Sequence, residues 1–433
     1  MWLEQRRAET DLDVTAISLN ECHEWNKEAG SIRHSTRGFF EITGLRTKSI
    51  FSYLDNIQQP IIHQPELGIL GFVVASSGLE KYWLLQAKPE PGNIHGVQLA
   101  PTVQATFSNY SRMHGGDQTY YLQFFTSGAI VLESDCLHSE QGTRFFQKFN
   151  RNAICVVPFP FTCATDAYCW HNTQMVQQLL LKDYAVNTDA RSVMVTGPWR
   201  LISSEPTPFM DSASKGWGGL QSSYTAPVPT GLRREMARRV SKMRRAVCLE
   251  SQHLDIDQLR HWHFTDYALS PCVNGAFDIG FYHVDAPSRE KPFWDQPLLK
   301  SSRKDTIILF AKKHRGLLRF MLRFSFEVGL KGGVELGPSY KKESRVPLPE
   351  WLQEAVDGAH GTVRASIEQS DEGGRFMHSR CRYKVVELPE DYPVEHDAFG
   401  FWFTLAELET LCSAPKLLTN EARSAISLLL AFA

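Results

Sequence analysis

Carboxylate, imidazole and phenol groups stand in parts of the sequence where acid–base chemistry could be placed. Glu90 and Glu327 each precede a glycine by two residues, and His114 directly precedes two glycines. Such groups can accept or donate a proton in a transition state, and histidine titrates near neutral pH. A carboxylate that satisfies turn amides and a surface-loop histidine are the structural alternatives. The candidate acids and bases are Glu90, His95, His114, Glu327 and Tyr383.

Arginines at matching places in the two halves of the chain lie close to glycines, where backbone amides can approach a ligand. A guanidinium group offers a planar fork that matches phosphate oxygens. These residues indicate either a diphosphate site or internal ion pairs, and they are Arg144, Arg151, Arg375 and Arg382. Trp294, close to Gln296, offers a flat apolar surface for stacking a base, with core packing as the alternative.

A dense run of neutral hydrogen-bonding side chains lies between two basic residues, Lys88 and Arg112. Neutral donors and acceptors of this kind are what recognition of a hydroxyl-rich sugar requires. A loop that hydrogen-bonds to itself is the alternative. The run contains Gln98, Thr102, Gln104, Ser108 and Asn109.

The elements that must position these residues occur twice. The motif at 59–62, QPII, recurs as QPLL at 296–299, and Glu90-Pro-Gly recurs as Glu327-Val-Gly, both 237 positions later (297 − 60 and 327 − 90). Further along, the SEQGTRF motif at 139–145 matches SDEGGRF at 370–376, and DARS at 189–192 matches EARS at 421–424. A nearly constant offset indicates a duplicated module.

Each copy is predicted to be an α+β domain. Short β-rich runs separated by turn residues predict strands at 67–75, 82–87, 120–125, 129–133, 153–157, 306–310, 317–326 and 383–386. Thr404 and Glu407 form a capping box that starts a late helix, and Asn172 holds the equivalent place in the first copy. We therefore expect a first module at 1–210, a linker with a basic helix at 211–250, and a second module at 251–433. The basic helix is typical of a solvated face.

Composition excludes several classes of protein. Lys+Arg 46 against Asp+Glu 48 shows no positive excess for a nucleic acid, and the longest apolar stretches are far shorter than the ~20 residues of a membrane-spanning helix. Charges near the N-terminus argue against export, so a cytoplasmic location is expected. Nine cysteines without a C-x-x-C pair suggest neither a disulfide framework nor a zinc site.

Long motifs carry a resemblance that covers essentially the whole chain. They are QPIIHQPELGILGF at 59–72, QAKPEPGN at 86–93 and QLAPTVQATFSNYSRMHGG at 98–116, with further matches at 139–152 and 187–193. The chain resembles the NDP-4-keto-6-deoxyhexose 2,3-dehydratase family. This resemblance implies two tandem modules similar to Nudix hydrolases, a nucleotide-linked deoxysugar as substrate, and a homodimer.

The reaction implied by the resemblance begins at a dTDP-linked 4-keto-6-deoxyhexose. A side-chain base removes the C3 proton, the C2 hydroxyl leaves by β-elimination, and a 3,4-diketo sugar results. No redox cofactor or metal is implied. A downstream 3-ketoreductase would consume the product in secondary metabolism or glycan synthesis. For such a substrate, the acid–base candidates, the four arginines, Trp294, Gln296 and the polar run between Lys88 and Arg112 are the candidate site residues, with the structural alternatives above left open.

Departures from the family pattern leave a second interpretation open. Ile57 stands where a tryptophan is expected, although the second copy keeps Trp294, and the PTVQ motif at 101–104 becomes PSYK at 338–341. The two sites are therefore not expected to be equivalent, and a non-catalytic sugar-nucleotide-binding or scaffolding protein is the alternative. Nudix-type hydrolysis is disfavoured because Arg234-Glu235 lacks the following glutamate pair.

Overall fold

A computed structural model describes residues 2–106, 119–273, 275–287 and 291–433 of the chain. The predicted site residues Asn109, Arg112 and His114 lie outside these ranges. Within the described residues, no helix combines the length and the apolar character needed to span a membrane.

The strands of the two halves follow the same order. In the first half they are β1 (Asp13–Ile17), β2 (Trp25–Glu28), β3 (Ser31–His34), β4 (Glu41–Lys48), β5 (Gln58–His63), β6 (Gly68–Ser77), β7 (Glu80–Pro89), β8 (Val97–Ala100), β9 (Val103–Ala105), β10 (Leu132–Ser139), β11 (Phe149–Val157) and β12 (Tyr168–Asn172). In the second half they are β13 (Glu250–Leu254), β14 (Trp262–Phe264), β15 (Ala268–Pro271), β16 (Phe277–Asp285), β17 (Phe293–Ser301), β18 (Asp305–His314), β19 (Leu317–Phe326), β20 (Val334–Gly337), β21 (Tyr340–Lys341), β22 (Thr362–Gln369), β23 (Cys381–Leu388) and β24 (Gly400–Phe403).

Helices pack against these strands. They are α1 (Trp2–Glu9), α2 (Gln123–Thr126), α3 (Thr173–Leu180), α4 (Thr188–Thr196), α5 (Leu220–Tyr224), α6 (Leu232–Val247), α7 (Glu350–Asp357), α8 (Leu405–Cys412) and α9 (Asn420–Ser427). The duplication is confirmed element by element, because β1 and β13 start 237 residues apart (250 − 13) and so do β6 and β18 (305 − 68). The fold is α+β in two similar halves.

Each half contains a large mixed sheet. Its order is β10-β11-β6-β7-β12 in the first half, with β8 beside β7 and β9 beside β6. The second half repeats this arrangement around β18, β19 and β23. The central pairs, β6 with β11 and β18 with β23, are parallel. Residues 68–75 of β6 are all buried, which matches the continuous apolar run in the sequence.

The smaller sheets exchange one strand between the halves. β1 of the first half pairs with β16 of the second, and β13 of the second half pairs with β4 of the first. Reciprocal pairing ties the two halves together through backbone hydrogen bonds. Loops of each half are thereby brought against the large sheet of the other.

Two buried helices, α4 and α9, join the halves at the centre. Arg191 of α4 donates to Ser427 Oγ at 3.1 Å, and Arg423 of α9 donates to Ser192 Oγ at 2.8 Å. Both guanidinium groups also donate to backbone carbonyls, so every nitrogen of these fully buried cations has an acceptor. Around these two helices, apolar side chains of both halves pack in one continuous core.

The predicted helix caps are confirmed. Asn172 accepts a hydrogen bond from the amide of Met175 at the start of α3, and Thr404 and Glu407 form the capping box of α8. Most predicted strands fall within observed ones, but the strand predicted at 120–125 is wrong and β10 begins only at the end of the run 129–133. Tyr121 has a positive φ of 65°, and Tyr121 and Phe125 are buried four residues apart across a turn and a short helix. Helical spacing therefore buries this aromatic run.

Candidate active site

A cavity of about 530 Å³ opens between the two sheets of the first half and is completed by loops of the second half. We call it the first cavity. The first half contributes Lys88, Glu90, Gln104, Glu140 and Asp189 to its lining. The second half contributes Trp294, Gln296, Glu372 and Arg375. Neither half could form this cavity alone.

The Glu-x-Gly turn places Glu90 at the junction of the halves. The amide of Gly92 donates to Gly373 O at 2.8 Å, and the Gly92 carbonyl accepts from His378 N at 3.0 Å. A side chain at Gly92 would meet the carbonyl oxygen of Phe376 at 1.7 Å. Only glycine allows this close approach. The equivalent turn of the second half, with Gly329, packs in the same way against Phe145.

Glu90 is 5% exposed and has one bonded and one free carboxylate oxygen. Its Oε1 lies 2.8 Å from Lys88 Nζ and accepts from Gln104 Nε2 at 3.4 Å. Its Oε2 is buried without a hydrogen-bond partner among the described residues. A buried polar atom left without a partner is rare and calls for an explanation. An oxygen fixed in this way is suited to take a proton from a molecule in the cavity.

A second carboxyl group of the cavity wall, Asp189, lies in surroundings that favour its neutral form. Burial raises the pKa of Asp189 well above its ordinary value, and the neighbouring charges of Glu140 and Glu372 raise it further. Asp189 lies in the first turn of α4, whose cap residue Asn187 donates to Gln104 Oε1 at 3.0 Å. The helix that carries Asp189 is thus bonded to the residue that also holds Glu90.

Two further carboxyl groups surround Asp189. Burial raises the pKa of Glu140 to about 7, while its oxygens accept from Asn150 at 2.7 Å and from Asn420 at 3.0 Å. Burial also raises the pKa of Glu372. Carboxyl groups crowded in one buried place cannot all ionise together, so this wall of the cavity can hold and release protons.

Aromatic side chains form another wall of the cavity. The rings of Trp25 and Phe40 lie 4.7 Å apart, and the Arg375 guanidinium stacks over Phe40 at 4.3 Å. Trp294 Nε1 donates to Gln296 Oε1 at 2.8 Å, which fixes the orientation of the indole. Arg375 Nε is buried without a partner in the described part of the chain. A planar ring and an anion could both be accommodated here.

The equivalent site in the second half keeps an outer cavity of about 470 Å³, while side chains occupy its inner end. Lys341, which stands where the first half has Gln104 (341 − 104 = 237), is buried between Glu327 and Glu421 and pairs with both. Arg144, the equivalent of Arg375, is paired with Glu343 at 2.5 Å. We call this site the second cavity. Its inner part, which Tyr383 also lines, has shrunk to about 30 Å³.

Other predicted site residues serve structural bonds. Gln98 is 1% exposed and donates to Ser370 Oγ, and Thr102 is fully buried and donates to Leu84 O at 2.5 Å. Arg151 pairs with Asp135 at 2.8 Å, and Arg382 pairs with Glu368. His95 has a positive φ of 67° and is exposed in the turn after Glu90.

Sequence reasoning did not single out several residues that line the first cavity. They are Glu140, Lys148, Asp189 and Glu372. Asp189 and Glu140 were visible only as parts of duplicated motifs. The signals were acidic residues at the same places in both halves, Asp189 with Glu421 and Glu140 with Asp371, where a structural role would serve as well. Their convergence depends on how the halves pack.

The ion pairs of the second cavity give a stability prediction. Lys341→Met is expected to lower the free energy of unfolding by about 3–5 kcal/mol, because it leaves Glu327 and Glu421 buried without a counter-charge. Urea unfolding measures this change. The matched variant Lys342→Met removes an exposed neighbouring ammonium and should cost little. Equal unfolding midpoints for the two variants would contradict the assignment of Lys341.

Comparisons with known proteins agree with the duplicated architecture. The family model described as NDP-hexose 2,3-dehydratase matches residues 1–196 and 233–429. A dTDP-4-dehydro-6-deoxy-alpha-D-glucopyranose 2,3-dehydratase of Streptomyces violaceoruber is 30% identical, over 98% of this chain and 95% of its own length. Proteins of the same name from Saccharopolyspora spinosa and Amycolatopsis orientalis are 29% and 28% identical over 98% of this chain, and over 89% and 88% of their own lengths. The chain therefore belongs to the NDP-hexose 2,3-dehydratase family.

Proposed function

We propose that this protein is a dTDP-4-dehydro-6-deoxyglucose 2,3-dehydratase whose reaction takes place in the first cavity. One observation carries the proposal: Glu90, whose Oε1 pairs with Lys88, offers a buried carboxylate oxygen without a partner among the described residues, in a cavity that Asp189 also lines, a carboxyl group whose pKa burial raises. A β-elimination requires a base and a proton donor in one site.

The proposed reaction starts at C3 of the sugar. The C4 ketone acidifies the C3 proton, which Glu90 Oε2 removes, and the electron pair forms an enolate on the C4 oxygen. Lys88 and Lys148 both line the cavity and supply cationic donors for that oxygen. When the C4 ketone reforms, the C2–O bond breaks, and Asp189 donates its proton so that water rather than hydroxide leaves.

Proton return completes the balance. Elimination produces a C2=C3 double bond with the C3 hydroxyl still in place. The C3 hydroxyl gives its proton to Asp189, and C2 takes a proton from Glu90, which produces the 3,4-diketo-2,6-dideoxy sugar. Both carboxyl groups regain their initial states. The steps move protons only, so they call for neither a redox cofactor nor a metal ion.

The nucleotide part of the substrate is assigned to the aromatic wall. The thymine ring would stack on the surface formed by Trp25, Phe40 and Trp294, and the diphosphate would pair with Arg375. Arg375 donates to Gly374 O at 2.8 Å and to Gln64 Oε1 at 3.4 Å but forms no ion pair among the described residues, whereas the equivalent Arg144 already pairs with Glu343. This difference supports the first cavity as the productive one.

Arg375 and Arg144 provide a matched test of this assignment. Arg375→Ala is expected to weaken dTDP binding by about 1.5–3 kcal/mol, or roughly 10- to 100-fold in Kd, because a bond to a charged phosphate is lost. Arg144→Ala should leave dTDP affinity unchanged. Isothermal titration calorimetry measures both. An effect of Arg144→Ala larger than that of Arg375→Ala would assign the nucleotide to the second cavity.

Further features belong to the same proposal. The parallel central strands and the late helix of each half support a Nudix-like module. We also propose a homodimer and a cytoplasmic location, and a 3-ketoreductase as the enzyme that consumes the reactive diketone. Sedimentation velocity tests the homodimer, with a monomer at micromolar concentration as the contrary result.

The activity itself is tested by incubation with dTDP-4-keto-6-deoxyglucose and a 3-ketoreductase with its reduced nicotinamide cofactor. Mass spectrometry should show a nucleotide sugar that has lost one oxygen atom. A substrate that keeps its C2 hydroxyl after prolonged incubation, while the protein still binds dTDP, would favour the non-catalytic alternative.

A further inference from the structure

A groove of about 660 Å³ lies between the basic linker helix α6 and the large sheet of the second half. One helix face, with Arg239, Lys242 and Ala246 at helical spacing, forms one side. The floor contains Met321, Phe324, Trp351, Phe401 and Trp402. None of these residues lines the first or the second cavity. The size and the mostly apolar lining are those of a site for a small molecule.

In the first half, the equivalent face of the large sheet is covered by the chain itself. Trp170 is the equivalent of Trp402 (402 − 170 = 232), because each pairs across the sheet with matching residues, Leu84 and Met321. Trp170 Nε1 donates to Phe161 O at 2.8 Å, and the Phe161 ring covers the indole at 5.1 Å. The first half thus closes this face with its own chain, whereas the second half leaves a groove.

A buried donor in the groove lacks an acceptor. Trp351 is 3% exposed, and its Nε1 has no hydrogen-bond partner in the described part of the chain. Most buried indole N–H groups are paired. A bound molecule with a suitably placed oxygen would satisfy this donor.

The rim of the groove is cationic. Arg239 stacks over the Phe401 ring at 5.6 Å, and the exposed Lys242 stands one turn further along the helix. Asp397 pairs with Arg323 at 2.6 Å, both side chains being buried, and Arg239 pairs with Glu235 at 2.7 Å on the exposed helix surface, so Glu235 and Glu395 are the carboxylates that oppose the rim cations. The adjoining depression, which shares Val394 and Trp402 with the groove, adds further positive charge through Lys312, Arg315 and Arg319.

We propose that this groove is a second ligand site, which binds a flat, mainly apolar small molecule carrying an anionic group. The aromatic floor receives the ring, Arg239 and Lys242 pair with the anion, and the indole N–H of Trp351 donates to an acceptor on the ligand. This site differs from the proposed active site in its lining residues and in its aromatic floor without a carboxylate.

A fluorescence titration with 8-anilinonaphthalene-1-sulfonate, a planar aromatic sulfonate, tests the site. The full chain is titrated in saturating dTDP, which occupies the first cavity. The double variant Arg239→Glu, Lys242→Glu is expected to raise the Kd of the probe about fivefold or more, because two rim charges are reversed. Arg238→Glu, an exposed arginine on the same helix that does not line the groove, is the matched control. Equal Kd values for the two variants would overturn the proposal.

Ala246→Trp provides an independent test, because it fills the groove from an exposed helix position. It should abolish probe binding while dTDP affinity and circular dichroism stay as in the wild type. Probe binding that dTDP displaces completely, or that survives Ala246→Trp, would overturn the proposal. A changed sedimentation coefficient in Ala246→Trp would assign the groove to contact between copies of the chain and would also overturn it.

Discussion

Glu90→Gln is expected to lower kcat by about 10²–10⁴-fold while dTDP affinity remains that of the wild type. The amide keeps the size and the hydrogen-bonding capacity of the side chain, but it cannot take the C3 proton. Oε2 is the reacting atom in this proposal because Oε1 is already held by Lys88 and Gln104. Steady-state kinetics with the coupled reductase measures the loss, and calorimetry with dTDP measures the binding.

Glu327→Gln is the matched control for Glu90→Gln, since both glutamates occupy the same turn of the duplicated module. Glu327 Oε1 accepts from Ser325 at 2.9 Å and faces Lys341, and its Oε2, like that of Glu90, has no hydrogen-bond partner among the described residues. The two turns differ in that Lys341, which stands where the first half has Gln104, occupies the inner end of the second cavity. We expect a loss of stability but a kcat near the wild-type value at a temperature where the variant is folded. A greater loss of kcat in Glu327→Gln than in Glu90→Gln would move the reaction to the second cavity.

Asp189→Asn is expected to lower kcat by about 10²–10³-fold, because the departing hydroxide loses its proton donor. The pH dependence distinguishes this role from a structural one. Because burial and neighbouring carboxylates raise the pKa of Asp189, the wild-type enzyme has the required acid form at low pH and loses activity as pH rises through that raised pKa. The variant has no proton to lose there, so its residual rate should not show this alkaline decline.

The free energy of unfolding should also depend on the ionisation of Asp189. A carboxyl group whose pKa is raised in the folded state contributes stability below its unfolded pKa and loses that contribution as pH rises through the folded pKa. Asp189→Asn is therefore expected to be more stable than the wild type at alkaline pH, by urea unfolding. Lower stability at every pH, with the alkaline decline of kcat unchanged, would make Asp189 a structural residue.

The repeated landmarks predicted the two similar halves, and the residue types predicted the caps at Asn172 and Thr404. The reciprocal exchange of β1 and β13 could not be predicted, because a constant offset says which strands are equivalent but not which half each one pairs with. The departure at 338–341 was visible in the sequence. Its consequence, a lysine buried between Glu327 and Glu421, depends on three distant segments meeting.

Site residues could be predicted from the sequence where a local motif explains why the residue is needed. The Glu-x-Gly turn pointed to Glu90 because the glycine is needed for contact with the other half. Arg375 and Arg382 could not be told apart, since each is an arginine at a duplicated position. Asp189 could not be predicted as a proton donor, because its raised pKa arises from burial and from carboxylates far apart in the chain.

The most direct test of the central claim uses dTDP-4-keto-6-deoxyglucose carrying deuterium at C3. With wild-type enzyme and the 3-ketoreductase, mass spectrometry and proton NMR of the product should show that C2 has lost its oxygen and C3 its deuterium, the label having passed through Glu90 to C2 or to solvent, with a primary isotope effect on kcat/KM. Glu327→Gln should give the same product, and Glu90→Gln should return the labelled substrate. Retention of the C2 oxygen by the wild type, or loss of the label in Glu90→Gln at the wild-type rate, would contradict proton abstraction by Glu90 in the first cavity.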